Sequence, residues 1–125
     1  MPWRTNVVAA LCVAGLATSL VTPVTAHHSH ANYDITTWTV MEGTVKQLVL
    51  MAPHSIVYLD VKNEKGDVVS WTVEMSNITN MQARGIFRST FKAGDVVTVK
   101  LNPLKDGRPG GNYTSVVAAD GKAYE

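Results

Sequence analysis

Apolar and polar residues alternate along most of the chain after residue 38, and this period of two is typical of β-strands that bury one face. In residues 55–62, for example, Val57, Leu59 and Val61 fall on one side of the segment. Val and Thr, which favour strands, are frequent in the same segments. The pattern predicts five strands, at residues 38–50, 55–62, 68–75, 96–101 and 113–119.

One segment breaks this alternation and has the features of a short helix. Ser76 or Asn77 can cap its start, and Ile78 and Met81 fall on one face. Gly85 is the type of residue at which such a helix ends. The sequence therefore predicts a helix of only about two or three turns between the third and fourth strands.

The order of these elements indicates the fold class. Three strands, a short helix and two strands are the order of an all-β, small five-stranded Greek-key barrel of OB type, with one short helix between strands 3 and 4. Gly43 interrupts the first strand and predicts a bulge or a sharp bend, which lets one strand serve both halves of a barrel. A small open sandwich is the alternative.

The amino-terminal residues have the features of a secretory signal. Arg4 gives a positive start, residues 7–20 are apolar, and small residues end at Ala26. The apolar run is shorter than the roughly 20 residues that span a membrane. The predicted organisation is a signal peptide at 1–26, an irregular segment at 27–37 and an OB-like β-barrel domain at 38–125.

Cleavage of this signal predicts a periplasmic or secreted protein without stable membrane insertion. Cys12, the only cysteine, lies in the apolar run, so the mature chain has no disulfide. The whole chain has 11 Lys and Arg against 10 Asp and Glu. A nearly neutral domain lacks the basic face that a nucleic-acid partner requires, so nucleic acid is not expected as a ligand.

The chemistry of the sequence is concentrated in histidines. Three of the four histidines, His27, His28 and His30, lie within four residues. If cleavage follows Ala26, the free amine and ring of His27 can chelate one metal ion, and another imidazole can complete the site. Alternatively, His28 binds with the amine and the intervening amide. Nitrogen ligands in this arrangement suit Cu(II), and copper also ranks above zinc and nickel in affinity.

The competing interpretation is a solvated terminus that merely contains histidines. His54, the fourth histidine, follows Pro53 in the loop after the first strand. That strand is about 35–40 Å long if straight, and residues 27–37 reach roughly 35 Å at most. His54 therefore joins the terminal histidines only if residues 27–37 fold back along the barrel; otherwise its ring bonds a local carbonyl.

Six short pieces of the sequence follow one another in a recognisable order: His27-His28-Ser29, Tyr33-Asp34, Gly43-Thr44-Val45, Pro53-His54, Gly94-Asp95-Val96-Val97-Thr98-Val99 and Lys105-Asp106-Gly107. In this order they resemble a family of small secreted bacterial proteins whose domain has no assigned function. The resemblance spans the mature chain and implies its location and layout rather than a mechanism. Three residues depart from the pattern: His30 replaces an aromatic residue, Ala52 an Asn and Leu50 a Trp.

Two functions are compatible with these features, and neither is enzymatic, because no hydrolase motif or carboxylate pair is present. The first is binding of a transition metal, copper preferred, through His27, His28, His30 and optionally His54. The second is a metal-free module that binds a small ligand or a periplasmic protein. It would use its barrel face, where Tyr58 and Trp38 can stack on a ligand, and the loop at 102–112.

Overall fold

The computed structural model describes residues 30–125, apart from the side chain of His30. The predicted signal and residues 27–29 lie outside the described residues. The elements are a 3-10 turn (His30–Asn32), strands β1 (Thr39–Val49), β2 (Ile56–Lys62), β3 (Val68–Glu74), β4 (Val96–Pro103), β5 (Gly110–Ala118) and β6 (Ala123–Tyr124), and helix α1 (Ile78–Ala83). In the part of the chain from residue 30 onward, no helix is long and apolar enough to span a bilayer.

The five long strands form a closed, mixed barrel. β1, β2 and β3 form an antiparallel meander, and β4 pairs antiparallel with both β1 and β5. A parallel pairing of β3 with β5 closes the wall, and β6 adds an extra strand beside β5. The structure is thus mostly β, with α1 between β3 and β4. The predicted five-stranded barrel and its helix are confirmed, the open sandwich is excluded, and β6 was missed.

β1 belongs to both halves of the barrel. Its first part, Thr39 to Thr44, pairs with β4, and the part from Thr44 to Val49 pairs with β2. The register shifts between Val45 and Gln47, so the irregularity lies after Gly43 rather than at it. Gly43 has another role, because a Cβ there would lie 3.1 Å from Cγ2 of Val61.

The strands are staggered, as closure of a small barrel requires. A series of cross-strand residue pairs runs round the barrel wall from the end of β1 through β2, β3, β5 and β4. Its members are Val49, Ile56, Glu74, Asn112 and Asn102. Asn102 follows Leu101, which pairs with Thr39 at the start of β1. The series of pairs therefore begins at the carboxyl end of β1 and comes back to β1 at its amino end. The segment before β1 therefore meets the barrel two strands from Glu74.

The core fills the barrel with residues from every long strand and from α1. Fully buried side chains include Val45, Leu59, Val73, Met81 and Val99. Those on the strands are the inward members of the alternating pattern, and the burial of Val57 and Leu59 confirms the predicted inner face of β2.

Helix α1 begins and ends where the sequence indicated. The side chain of Asn77 accepts a hydrogen bond from the amide of Asn80, which satisfies one of the donors left unpaired at a helix start. Gly85 follows the helix with a φ of 85°, a conformation that favours glycine. Met81 is the buried residue of α1, so one methionine holds the helix against the barrel.

β5 begins earlier than predicted, at Gly110 rather than Tyr113. Glycine is poor in strands, and the run of glycines predicted a loop. Tertiary packing reverses that preference, because a Cβ at Gly111 would lie 2.5 Å from the carbonyl oxygen of Asn102 and 2.5 Å from Cδ1 of Leu101. Glycine is therefore required where β5 crosses close to β4.

Candidate functional site

The histidines predicted to bind a metal are only partly covered by the structure. His27 and His28 lie outside the described residues, and for His30 only the backbone, at the start of the 3-10 turn, is described. His54 is described completely. Among the side chains described, His, Cys, Asp and Glu form no group of three or more that could hold a metal ion. The four-histidine site therefore stays a prediction.

His54 lies against the end of β3. Its Nδ1 is 3.2 Å from Oε1 of Glu74, and both side chains are about one-third exposed. The neighbouring Ser55 is fully buried and continues the ladder beyond the strand ends, since its amide donates to Ser76 and its carbonyl accepts from Met75. The loop position of His54 is therefore fixed by backbone pairing on its carboxyl-terminal side.

Tyr33 reaches the same carboxylate from the amino-terminal segment. Its hydroxyl donates to Oε2 of Glu74 at 2.5 Å, so one carboxylate lies between a phenol and an imidazole. The three side chains, Tyr33, Glu74 and His54, are termed the carboxylate cluster below. Neither Glu74 nor Tyr33 was predicted from the sequence to belong to a site.

Backbone contacts hold Tyr33 in place at the end of β4. Tyr33 forms a β-bridge with Leu104, the amide of Asp34 donates to Pro103, and the carbonyl of Asn32 accepts from Lys105. The carboxylate of Asp34 bonds locally, because it accepts hydrogen bonds from the amide and the hydroxyl of Thr36. These hydrogen bonds lower the pKa of Asp34.

The described part of the amino-terminal segment, from residue 30 onward, therefore folds back to the end of the barrel that carries His54. The stagger of the strands explains this, because it brings the segment before β1 beside the end of β4 and close to Glu74. Tyr33 is three residues after His30, which corresponds to about 6 Å of 3-10 turn at about 2 Å per residue. The distance objection to His54 as a partner of the terminal histidines is thereby removed.

Burial raises the pKa of the Tyr33 phenol, and the hydrogen bond to Glu74 and the negative charge of that carboxylate raise it further. Ionised Tyr33 would lose its bond and face a carboxylate of like charge. The folded state therefore favours the neutral phenol, and the phenol acts as a fixed donor to Glu74.

Tyr33→Phe tests this donor. In the unfolded chain the phenol ionises near its ordinary pKa of 10.0. The folded state keeps the proton to higher pH, so the stability that Tyr33 contributes is complete below about pH 10 and is lost as pH rises further. We expect Tyr33→Phe to lower the free energy of unfolding by about 1 kcal/mol at pH 7.

Urea unfolding at a series of pH values from 7 to 11 measures both effects. Above about pH 10 the wild type should lose stability more steeply than Tyr33→Phe. Tyr113, whose pKa burial also raises, is present in both proteins and provides a shared background. Parallel curves would show that Tyr33 does not hold its proton more tightly in the folded state.

An open depression of about 550 Å³ lies beside His54. It is lined by the loop residues 52–54 and by residues 76–80 at the start of α1. His54 thus belongs both to the carboxylate cluster and to the wall of a concave surface, which gives it a side that a solute can approach.

The two aromatic residues predicted to bind a ligand lie on different parts of the barrel. Trp38 is 57% exposed, and Nζ of Lys100 on β4 lies 5.1 Å from the centre of its ring. Tyr58 is half-buried between Gln47 of β1 and Thr72 of β3. Ligand binding by Trp38 and Tyr58 therefore stays a prediction.

The sequence did contain a signal for the His54–Glu74 contact. The hairpin of β2 and β3 has its turn at residues 63–67, and its register pairs Ile56 with Glu74. Extending that register places His54 near the carboxyl end of β3. No comparable local signal exists for Tyr33, because it meets Glu74 only through closure of the barrel.

Comparison with known proteins identifies a family but no function. Residues 15–113 match DUF6152, described as a family of unknown function. The match begins within the predicted signal peptide and ends near the start of β5. No curated protein and no solved structure matches the chain.

Proposed function

Starting from the fact that this chain belongs to DUF6152, a family of unknown function, we propose that it is an exported protein that binds a transition metal, copper preferred, through a histidine-rich mature amino terminus. The activity is non-enzymatic and would serve copper handling or delivery in the periplasm. His27 supplies its amine and ring nitrogen, and His28 or His30 completes the site. His54 is an optional fourth ligand from the barrel.

One observation carries this proposal furthest: the segment that follows the histidine tract is attached to the side chain that contacts His54. Tyr33 donates to Glu74, and the same carboxylate lies 3.2 Å from Nδ1 of His54. His30 precedes Tyr33 by one 3-10 turn, and residue 27 is at most about 11 Å of extended chain further away. A terminal chelate therefore lies within reach of an imidazole on the barrel.

We also infer that the barrel is of OB type. Round the wall the strands follow the order β1, β2, β3, β5, β4 and back to β1, with β3 and β5 parallel. Supporting this assignment, the short helix follows β3, and the long first strand pairs with both β2 and β4. OB barrels bind their ligands on one face and between loops, and the depression beside His54 is such an inter-loop surface.

Copper titration of two forms of the mature protein tests the chelate. One form begins at His27 with a free amine, and the other carries an acetyl group on that amine, which keeps every imidazole in place and removes the amine as a ligand. We expect acetylation to weaken Cu(II) binding by about tenfold or more, equivalent to about 1.4 kcal/mol. Calorimetry gives the affinities of the free and the acetylated form, and mass spectrometry of the exported protein establishes the natural first residue. Equal affinities would remove the amine from the site.

The alternative is a metal-free interaction module, and an exposed apolar surface favours it. Ile35, Trp38 and Val40 are 61%, 57% and 64% exposed, respectively. Trp38 and Val40 fall on the same side of the extended chain, and Val40 pairs with Lys100. A periplasmic protein or small ligand would cover this surface. This alternative requires that replacing His27, His28 and His30 with Ala leaves the function of the protein in the cell unchanged.

A further inference from the structure

The loop that follows α1 carries an excess of positive charge. Residues 75–94 contain no Asp or Glu but include Arg84, Arg88 and Lys92. All three residues are exposed, and among the residues that the structure describes no ion pair includes any of them. The near-neutral balance of 11 Lys and Arg against 10 Asp and Glu in the whole chain therefore hides a locally basic surface. The loop at 84–92 is termed the basic loop below.

An exposed aromatic ring lies within the basic loop. Phe87 is 51% exposed, whereas Ile86 before it and Phe91 after it are buried in the core. Two hydrogen bonds close a turn that begins at Phe87, because its amide donates to Oγ1 of Thr90 and its carbonyl accepts from the amide of Thr90. Buried residues and hydrogen bonds thus fix the backbone on both sides of the exposed ring, which makes the ring a defined feature of the surface.

Two tyrosines beside the basic loop bring a further cation to the same end of the barrel. The ring of Tyr124 packs against Phe91, with 5.2 Å between the ring centres, and Nζ of Lys122 lies 4.9 Å from the centre of the Tyr124 ring. Cζ of Arg84 lies 6.0 Å from the ring centre of Tyr113, whose hydroxyl donates to the carbonyl of Tyr124. A cation is attracted to the face of an aromatic ring, so Arg84 and Lys122 are held beside the loop.

Acidic residues border this surface but do not enter the basic loop. The carboxylate of Asp95 accepts a hydrogen bond from the backbone amide of Lys92, and that of Asp120 accepts one from the backbone amide of Lys122. Glu125 acts electrostatically on the neighbouring tyrosine of β5. Within the loop itself, the exposed aromatic ring is accompanied by cations alone.

We propose that the basic loop docks on an anionic phospholipid membrane surface, with the ring of Phe87 entering the headgroup region. In this arrangement Arg84, Arg88 and Lys92 meet lipid phosphates. Attachment of this kind combines burial of apolar area with attraction between basic side chains and anionic lipids. It is peripheral and reversible, so it requires no membrane-spanning segment, and it does not depend on metal binding.

The composition of the surface favours a lipid layer over a protein partner. A specific protein interface buries about 800 Å² on each side and has an apolar centre. Here one exposed ring lies among cations, while the neighbouring apolar residues Ile86 and Phe91 are buried. A headgroup layer can take up a single ring without a complementary pocket, and it presents phosphates to every cation around that ring.

Vesicle co-sedimentation of the mature protein, with a chelator present to exclude metal ions, tests the docking. Vesicles of phosphatidylglycerol and phosphatidylcholine in equal parts should bind the protein about tenfold more tightly than vesicles of phosphatidylcholine alone, since each basic residue near an anionic surface adds to the attraction. Raising the salt concentration should weaken this binding. Equal binding to both kinds of vesicle, or binding to neither, would overturn the proposal.

Substitutions test whether the basic loop makes the contact. Phe87→Ser should weaken binding to the anionic vesicles about tenfold, because the ring no longer leaves water, and Arg88→Gln should weaken it about fivefold through loss of one charge. The matched controls are Val68→Ser and Lys65→Gln, which replace an exposed apolar residue and an exposed cation of the β2–β3 hairpin. Both controls should bind like the wild type, and thermal unfolding establishes that each variant is folded.

The remaining outcomes identify what else would contact this surface. Unchanged binding in both Phe87→Ser and Arg88→Gln, or an equal loss in the two controls, would show that another part of the protein meets the membrane and that the assignment to the basic loop is wrong. Binding to polyglutamate but to no vesicle would make the partner an acidic protein and overturn membrane docking. Because a chelator is present throughout, these results are independent of whether the amino terminus binds copper.

Discussion

Replacing Leu59 with Ala is expected to lower the free energy of unfolding by about 3–4 kcal/mol, since the fully buried side chain leaves a cavity that its neighbours can only partly fill. Leu59 lies in the middle of β2 and pairs with Val45 of β1 and Trp71 of β3. Three strands of the closed wall meet at this position, and none can move inward without breaking pairing elsewhere. Denaturant unfolding at pH 7 measures the loss.

Val68→Ala is the matched control for this substitution. Val68 lies in the same β2–β3 hairpin, where it pairs with Lys62, but 62% of it is exposed. Removing methyl groups there creates no cavity, so the cost should be less than about 1 kcal/mol. Similar costs at Leu59 and Val68 would contradict a core centred on the inward face of β2.

Replacing Gly111 with Ala is expected to lower the free energy of unfolding by about 3 kcal/mol, because the new methyl group meets backbone as well as a side chain. Its Cβ would lie 2.5 Å from the carbonyl oxygen of Asn102 and equally close to Leu101. Gly111 pairs with both Val73 of β3 and Pro103 of β4, so relief of the clash requires movement of the strand that closes the barrel.

Gly107→Ala separates this clash from ordinary glycine strain. Gly107 has a φ of 79° and no atoms near the position of a Cβ, so Ala there incurs only the backbone cost of about 1–2 kcal/mol. Thermal unfolding of both variants gives the comparison. An equal or smaller loss for Gly111→Ala would mean that β4 and β5 separate easily at this crossing.

The predictable part of the fold follows from local patterns. The alternation in β2 identified its inner face, and Asn77 and Gly85 marked the helix, because alternation and capping act within a few residues. The start of β5 was predicted too late because Gly110 and Gly111 have low strand propensity. Their place in a strand depends on contacts with β3 and β4, which no local window of sequence contains.

The residues of the candidate site also divide into one that the sequence identified and two that only the fold brings to it. His54 was identified because histidine is a rare residue type with recognisable chemistry, whereas Glu74 and Tyr33 resemble ordinary polar and turn residues. Their meeting joins positions 41 residues apart and depends on the stagger of the closed barrel. The straight length of β1 gave a misleading distance between the amino-terminal segment and His54, because a curved and tilted strand wraps around the wall rather than spanning it.

The parallel seam between β3 and β5 has a consequence for the motions of the molecule. It consists of three residue pairs, whereas seven join β2 to β3 and six join β1 to β4. Transient opening of a closed barrel begins at its shortest strand pairing, where the fewest hydrogen bonds must break. Glu74 is one of the three β3 residues in this parallel pairing. A solute that binds both its neighbour His54 and the amino-terminal segment would therefore also reduce transient opening of the whole barrel wall.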